Sequence, residues 1–297
     1  MKLKGSLKSI NIKTLALIAG VLTVLMLALR FYQLTALTDP ATGFFTDHTN
    51  FTVILFYVLA VGSAAGIVLL AYLASGMGVG KTASARCLPL GIASLLFAVP
   101  LAMEGVSGFR ALFSHLSSYY GFKDAVSAMG GYISVVAPVF ALLAAVAMVL
   151  NGVSFLAGKP IIRQLKLLLL CPTLWAFFKT IGYFKITASY VKVSQLMMTI
   201  FADAFLMLFL FEYARLISGI GIKDSIHAFY GTGFVAALLL LCTELPNLYF
   251  TLFAKEKLIV NCDFGLYNLL AAFFVLAALL YAAKNAVPET ADEEAAE

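Results

Sequence analysis

Charge is what this sequence lacks most. Lys, Arg, Asp and Glu make up 12% of its 297 residues, hydrophobic residues make up 62%, and mean hydropathy is +0.99. A soluble globular chain carries about 25% charged residues, enough to wet its surface. A soluble fold of this composition would have no polar outer layer, so lipid has to be its outer solvent. The polar stretches between apolar runs are all short, which excludes a large extramembrane domain.

Metal-binding and redox groups are scarce too. The four cysteines (Cys87, Cys171, Cys242, Cys262) form no CxxC pair, so neither a zinc site nor a redox dithiol is indicated, and they read as packing residues. No two of the three histidines (His48, His115, His227) share an apolar run and none lies mid-run, which removes a haem sandwich and an HExxH site. There is no GxSxG elbow and no Asp pair at the spacing of an intramembrane aspartyl protease. No cofactor is expected, and no set of nucleophile, base or metal ligands marks an enzyme.

Two motifs fail on inspection. Ser75-Gly-Met-Gly-Val-Gly-Lys-Thr82 approximates a P-loop, but Ser75 stands where the first Gly is required. The segment also joins two apolar runs, whereas a P-loop follows a strand, so it reads as a basic turn. The sequon Asn50-Phe-Thr52 abuts an apolar run and carries no weight. The sequence pI of 8.9 does not point to nucleic acid, because the surplus Lys and Arg sit in short loops beside apolar runs.

What the sequence does have is eight apolar runs near the ~20 residues a membrane helix needs. They cover 14–37, 51–74, 88–112, 130–156, 165–186, 193–216, 228–253 and 264–283. Barrel strands would be ~10 residues long and alternate in polarity. The expected fold is therefore all-α: a polytopic membrane bundle of about eight helices forming one domain over 14–285. A basic head covers 1–13, and an Ala- and Glu-rich tail over 286–297 reads as disordered. The first run is long for a signal peptide and carries Arg30 before any cleavage point, so it reads as an uncleaved helix.

Orientation follows the positive-inside rule. Lys2, Lys4, Lys8 and Lys13 precede the first run, Lys81 and Arg86 follow the second, Lys159, Arg163 and Lys166 follow the fourth, and Arg215 and Lys223 flank the end of the sixth. The first opposite-side loop, 38–50, carries Asp39 and Asp47 and no Lys or Arg. Both termini are expected in the cytoplasm, although Lys185, Lys192, Lys255 and Lys257 blunt the contrast.

Ionisable groups inside apolar runs carry the functional signal, because each costs at least ~2.5–3.5 kcal/mol near the bilayer centre on insertion scales. Arg30, Glu104, Lys179 and Glu244 fall in the outer halves of their runs, and Asp203 lies near the middle of its own. Similar depths fit a compensating cluster inside the bundle. Trp175, Lys179 and Tyr183 share a helical face, as do Gln195, Thr199 and Asp203; Asn247 lies a turn from Glu244. Pro100 and Pro246, close to Glu104 and Glu244, should bend their helices and free carbonyls, a feature of transporter sites. Glu212 and Arg215, at i and i+3, read as a structural salt bridge. Gly62-Ser-Ala-Ala-Gly66 is a GxxxG pattern, read first as tight packing within the bundle.

Leu29-Arg-Phe-Tyr-Gln-Leu34 with Asp39-Pro-Ala-Thr-Gly-Phe-Phe45, and Cys171-Pro-Thr-Leu-Trp175 with Val193-Ser-Gln-Leu196, resemble segments of a group of uncharacterised multi-pass membrane proteins of anaerobic Gram-positive bacteria. The resemblance implies a bacterial plasma membrane and brings no assigned activity. The expectation is thus a transporter-like or channel-like protein with a polar site in the outer half of its bundle, handling a small solute or ion. The bland alternative is a scaffold, sensor or complex subunit whose charges are static ion pairs.

Overall fold

The computed structural model describes residues 11–39, 45–47, 50–74, 86–119, 121–159, 161–185, 193–220, 222–254 and 265–285. The head up to residue 10, the Ser75–Thr82 motif and the tail from residue 286 lie outside the described residues, as do Pro40, Gly43, Phe44, His48, Lys192, Lys255, Lys257 and Cys262.

Every regular element described is helical. They are α1 (Ile12–Tyr32), continued by a π-turn at Gln33–Leu37, α2 (Phe51–Leu73), α3 (Leu88–Ser118), the short α4 (Phe122–Ala128) and α5 (Ile133–Ala157). Then come the single turn α6 (Ile161–Gln164), a 3-10 turn at Leu168–Leu170, α7 (Cys171–Lys185), α8 (Val193–Ser218), α9 (Ile222–Phe253) and α10 (Leu266–Lys284). Seven of these helices are long and apolar enough to cross a bilayer. The run expected as one helix over 165–186 is instead divided. Leu165 ends a turn, and α7 proper has 15 residues, with Pro172 in its first turn, where the missing N–H would have had no partner anyway. The shorter apolar stretch is Leu168–Phe184.

Contacts between helices fix their directions. Phe97 meets Trp175 and, further along both helices, Glu104 meets Lys179, so α3 and α7 run parallel. Gly91 packs on Leu156 and Gly108 on Pro138, so α5 runs against α3. Ser225 bonds Glu212 while Phe229 stacks near Phe209, which sets α9 against α8. Glu244 reaches Gly265 while Gly233 packs on Leu279, so α10 runs against α9. Arg30 lies over Phe56 and Ser63 bonds Met26, which sets α2 against α1, and Thr23 with Cys242 and Phe31 with Phe250 make α1 parallel to α9. Thus α1, α3, α7 and α9 ascend, while α2, α5, α8 and α10 descend. Ile12 and Lys284 lie at the same, lower end.

Burial runs in the sense lipid requires. Large apolar side chains such as Leu17, Val58, Val61, Leu69 and Phe113 point outward, where water would not tolerate a continuous apolar belt. The innermost helix is α9, of whose apolar window 89% is buried, against 22% for the first helix. Thr243, Glu244 and Asn247 on α9 therefore face protein.

Pro100 and Pro246 stand inside α3 and α9, and both helices continue through them. Gly62 and Gly66 do not pack within the bundle: a Cβ at either position would meet nothing within 4 Å among the described residues. The close glycine contact lies elsewhere, where α3 and α5 approach at Gly91, Gly105, Gly108 and Gly152. Asn50, the sequon residue, has a structural task. Its Oδ1 accepts from the Thr52 backbone N–H at 3.0 Å and so caps α2.

Candidate functional site

Lys179 is the centre of the largest polar constellation described. The four-residue spacing of Trp175, Lys179 and Tyr183 puts all three on one face of α7. That face meets Tyr267, in the first turn of α10. The Trp175 and Tyr267 rings stand edge to face at 6.1 Å and 85°. Lys179 Nζ lies 3.0 Å from the centre of the Tyr267 ring and 4.9 Å from that of Trp175. The hydroxyls of Tyr183 and Tyr267 are 2.6 Å apart. The ammonium is thus held over two aromatic faces, whose negative quadrupoles attract it. It also donates to Glu104 Oε2 at 3.1 Å.

Asp203, on α8, is 2% exposed, and neither carboxylate oxygen accepts a hydrogen bond from the described residues. Its charge interacts with Lys179, Glu244 and Glu104, and the Tyr183 hydroxyl lies against it without closing a hydrogen bond of good geometry. Glu244 is 4% exposed and fully engaged. It accepts from the Gly265 backbone N–H at 3.0 Å and from Asn268 Nδ2 at 2.8 Å. It therefore caps the first turn of α10, where helix N–H groups lack partners and negative charge is favoured. Among the described residues, three carboxylates thus share one ammonium, an excess of two negative charges when all are ionised.

The remaining candidates lie apart. Arg30 faces Phe56 at 5.6 Å, bonds Gln33 Oε1 at 3.4 Å and interacts with Cys242. Cys242 and Glu244 are two residues apart, or about 200° around α9, so Arg30 and Glu244 contact different sides of that helix. Gln33 continues this corner by donating to the Thr52 carbonyl at 2.9 Å. Asn247 is buried one turn above Glu244. Glu212 and Arg215 close a salt bridge at 2.9 Å near the lower end, and Ser225 Oγ donates to the same carboxylate, which ties α8 to α9. The Gln195 side chain is outside the described residues, and Thr199 takes part in an interaction of its own.

Position along the helices puts the constellation toward the upper end. At 1.5 Å per residue, Glu244 is about 33 Å from the start of α9 and about 14 Å from its finish. Glu104 stands at the foot of a stripe of exposed, small and mainly polar residues on α3, namely Ser107, Ala111, Ser114 and Ser118. These recur at three- and four-residue intervals, so they share one side of the helix. The stripe leads from the upper end down to Glu104, whose side chain remains 31% exposed, against 12% for Lys179.

A second polar chain lies lower in the bundle. Tyr213 donates to Asn151 Oδ1 at 3.0 Å, and Asn151 Nδ2 donates to Ser94 Oγ at 2.9 Å. A cavity about the size of one water adjoins Asn151 and Tyr213. It touches none of the five candidate charges.

Sequence reasoning did not single out Tyr267, Asn268 or Gly265, although a Tyr-Asn pair heading an otherwise apolar run was a visible signal. Asn151, alone in an apolar run, was another. No protein-family model matches the chain, and neither a curated protein nor a solved structure shows significant similarity to it.

Proposed function

We propose that this integral membrane protein is a transport protein that binds a small cation at the Glu104–Lys179–Asp203 constellation, reached from the upper end of the bundle. One observation carries the reading. Asp203 is a buried carboxyl group that receives no hydrogen bond from the described residues, in a cluster that holds, among those residues, three carboxylates and one ammonium. A carboxylate left so costs several kcal/mol, and a purely structural cluster has no reason to keep it. Trp175, Tyr183 and Tyr267 form the wall, and the serine stripe of α3 forms the approach. Glu244 serves mainly as the α10 cap.

We further propose eight crossings, with α7 as the short one and both termini in the cytoplasm of a bacterial cell. The alternation of helix directions supports the count, since α5 and α8 both descend and the chain must rise between them. Lys13, Arg86, Lys159, Lys166, Arg215 and Lys284 at the lower end support the orientation.

The scaffold reading draws on a different observation, the closed Glu104–Lys179 pair and the satisfied Glu244. Flux separates the two. Proteoliposomes of the wild-type protein should dissipate an imposed gradient of protons, sodium, potassium or an alkylammonium ion, and Asp203→Asn should not. Folded wild-type protein that passes none of these cations would overturn the transport reading in favour of the scaffold.

A further inference from the structure

We infer that the ligand is a small protonated amine, which takes the berth of the Lys179 ammonium between Trp175, Tyr267 and Glu104 while the lysine swings to Asp203. This rests on the cation-site reading above and adds the chemical class of the ligand.

The berth is built for an ammonium, because it holds one. Two aromatic faces and one carboxylate surround Nζ, with the ring centres at 3.0 and 4.9 Å and Glu104 Oε2 at 3.1 Å. Aromatic faces suit a large, weakly hydrated organic cation. They supply none of the oxygens with which a small metal ion replaces its water. Among the described residues no three His, Cys, Asp or Glu side chains stand where they could hold a metal ion. The Glu104 contact is an N–H···O bond, so the ligand needs an N–H, which a quaternary ammonium lacks.

Exchange requires somewhere for the displaced lysine to go. Asp203 provides it. Its carboxyl group is 2% exposed, accepts no hydrogen bond from the described residues, and acts electrostatically on Lys179. A buried ion pair is therefore lost on one side and regained on the other, and the incoming amine replaces the charge on Glu104. Glu104 is also the more exposed partner of the pair and stands at the end of the serine stripe, so a ligand arriving from above meets it first. Because Lys179 is a tethered competitor, a free amine has to match an effective concentration in the millimolar range.

Trp175 is the only tryptophan of the chain and forms one wall of the berth, so its emission reports on the berth. The full-length protein in detergent micelles is titrated with n-butylammonium chloride, and with sodium chloride and tetramethylammonium chloride at equal ionic strength. The expected result is a saturable change in Trp175 emission with n-butylammonium, half complete at millimolar concentration, and none with the other two salts. Glu104→Gln should abolish it, and Asp203→Asn should raise the half-saturating concentration about tenfold or more by removing the lysine's second station. An emission change that saturates with sodium but not with n-butylammonium overturns the amine assignment and leaves the cation site standing. Tetramethylammonium acting as well as n-butylammonium overturns the N–H requirement. No saturable response to any of the three overturns the amine berth, while the flux measurement in liposomes decides the cation reading independently.

Discussion

Removing Lys179 should hurt the protein far more than removing its partner Glu104. Lys179→Met deletes the one ammonium and leaves Glu104, Asp203 and Glu244 facing each other, with Asp203 nine-tenths or more buried. Breaking a buried ion pair by deleting one partner costs about 3–5 kcal/mol. Glu104 is partly exposed, and that share of its charge stays hydrated, so we expect roughly 3 kcal/mol. Glu104→Gln is different, because the stranded ammonium still feels the charge of Asp203, to which we propose it transfers. The expected cost is about 1 kcal/mol, that of one exchanged hydrogen bond. In the Asp203→Asn background that alternative disappears, and Glu104→Gln should then cost roughly 2 kcal/mol more. Reversible unfolding in mixed micelles titrated with a denaturing detergent gives all four free energies. Equal costs for the two single substitutions, or a Glu104→Gln cost that ignores Asp203, would refute the reasoning.

Other substitutions test the frame. Gly108→Ala should force α3 and α5 apart, since its Cβ would lie 2.2 Å from Pro138 Cγ, and should cost about 1–3 kcal/mol or more. Gly62→Ala meets nothing and should stay within about 0.5 kcal/mol of wild type in the same assay. Asn151→Leu strands the Tyr213 hydroxyl and Ser94, and should lower stability by about 1–3 kcal/mol, measured by thermal unfolding in micelles. Reporter fusions after residues 157 and 285 should both signal the cytoplasm, and one after residue 190 the opposite side; a fusion after 190 that signals the cytoplasm would remove α7 as a crossing.

The helical membrane character was legible because it rests on run length and hydropathy, which need no tertiary information. The break at Leu165 and the short α7 were less so, since an apolar run conceals where a turn interrupts it. The partners were least legible. Trp175, Lys179 and Tyr183 could be placed on one face by counting, but the surface they meet belongs to Tyr267, 88 residues beyond Lys179 (267 − 179). Depth alone groups Arg30 with the acids. Depth does not say which side of α9 a residue contacts, and Cys242 and Glu244 point different ways from it. Gly62 and Gly66 show the same limit: spacing identifies a small-residue face, and only packing says whether another helix covers it.

The central claim is a negatively charged site open to water at the upper end of the bundle, and charged thiol reagents at Ser107 test it most directly. In a variant with Cys87, Cys171, Cys242 and Cys262 replaced and Ser107→Cys introduced, a cationic methanethiosulfonate should react faster than its anionic counterpart. We expect a ratio of about tenfold or more, which is about 1.4 kcal/mol between reagents of opposite unit charge and so about 0.7 kcal/mol of local potential per unit charge, and it should fall toward unity in Asp203→Asn. Equal rates for both reagents, or no reaction with either, would contradict the account.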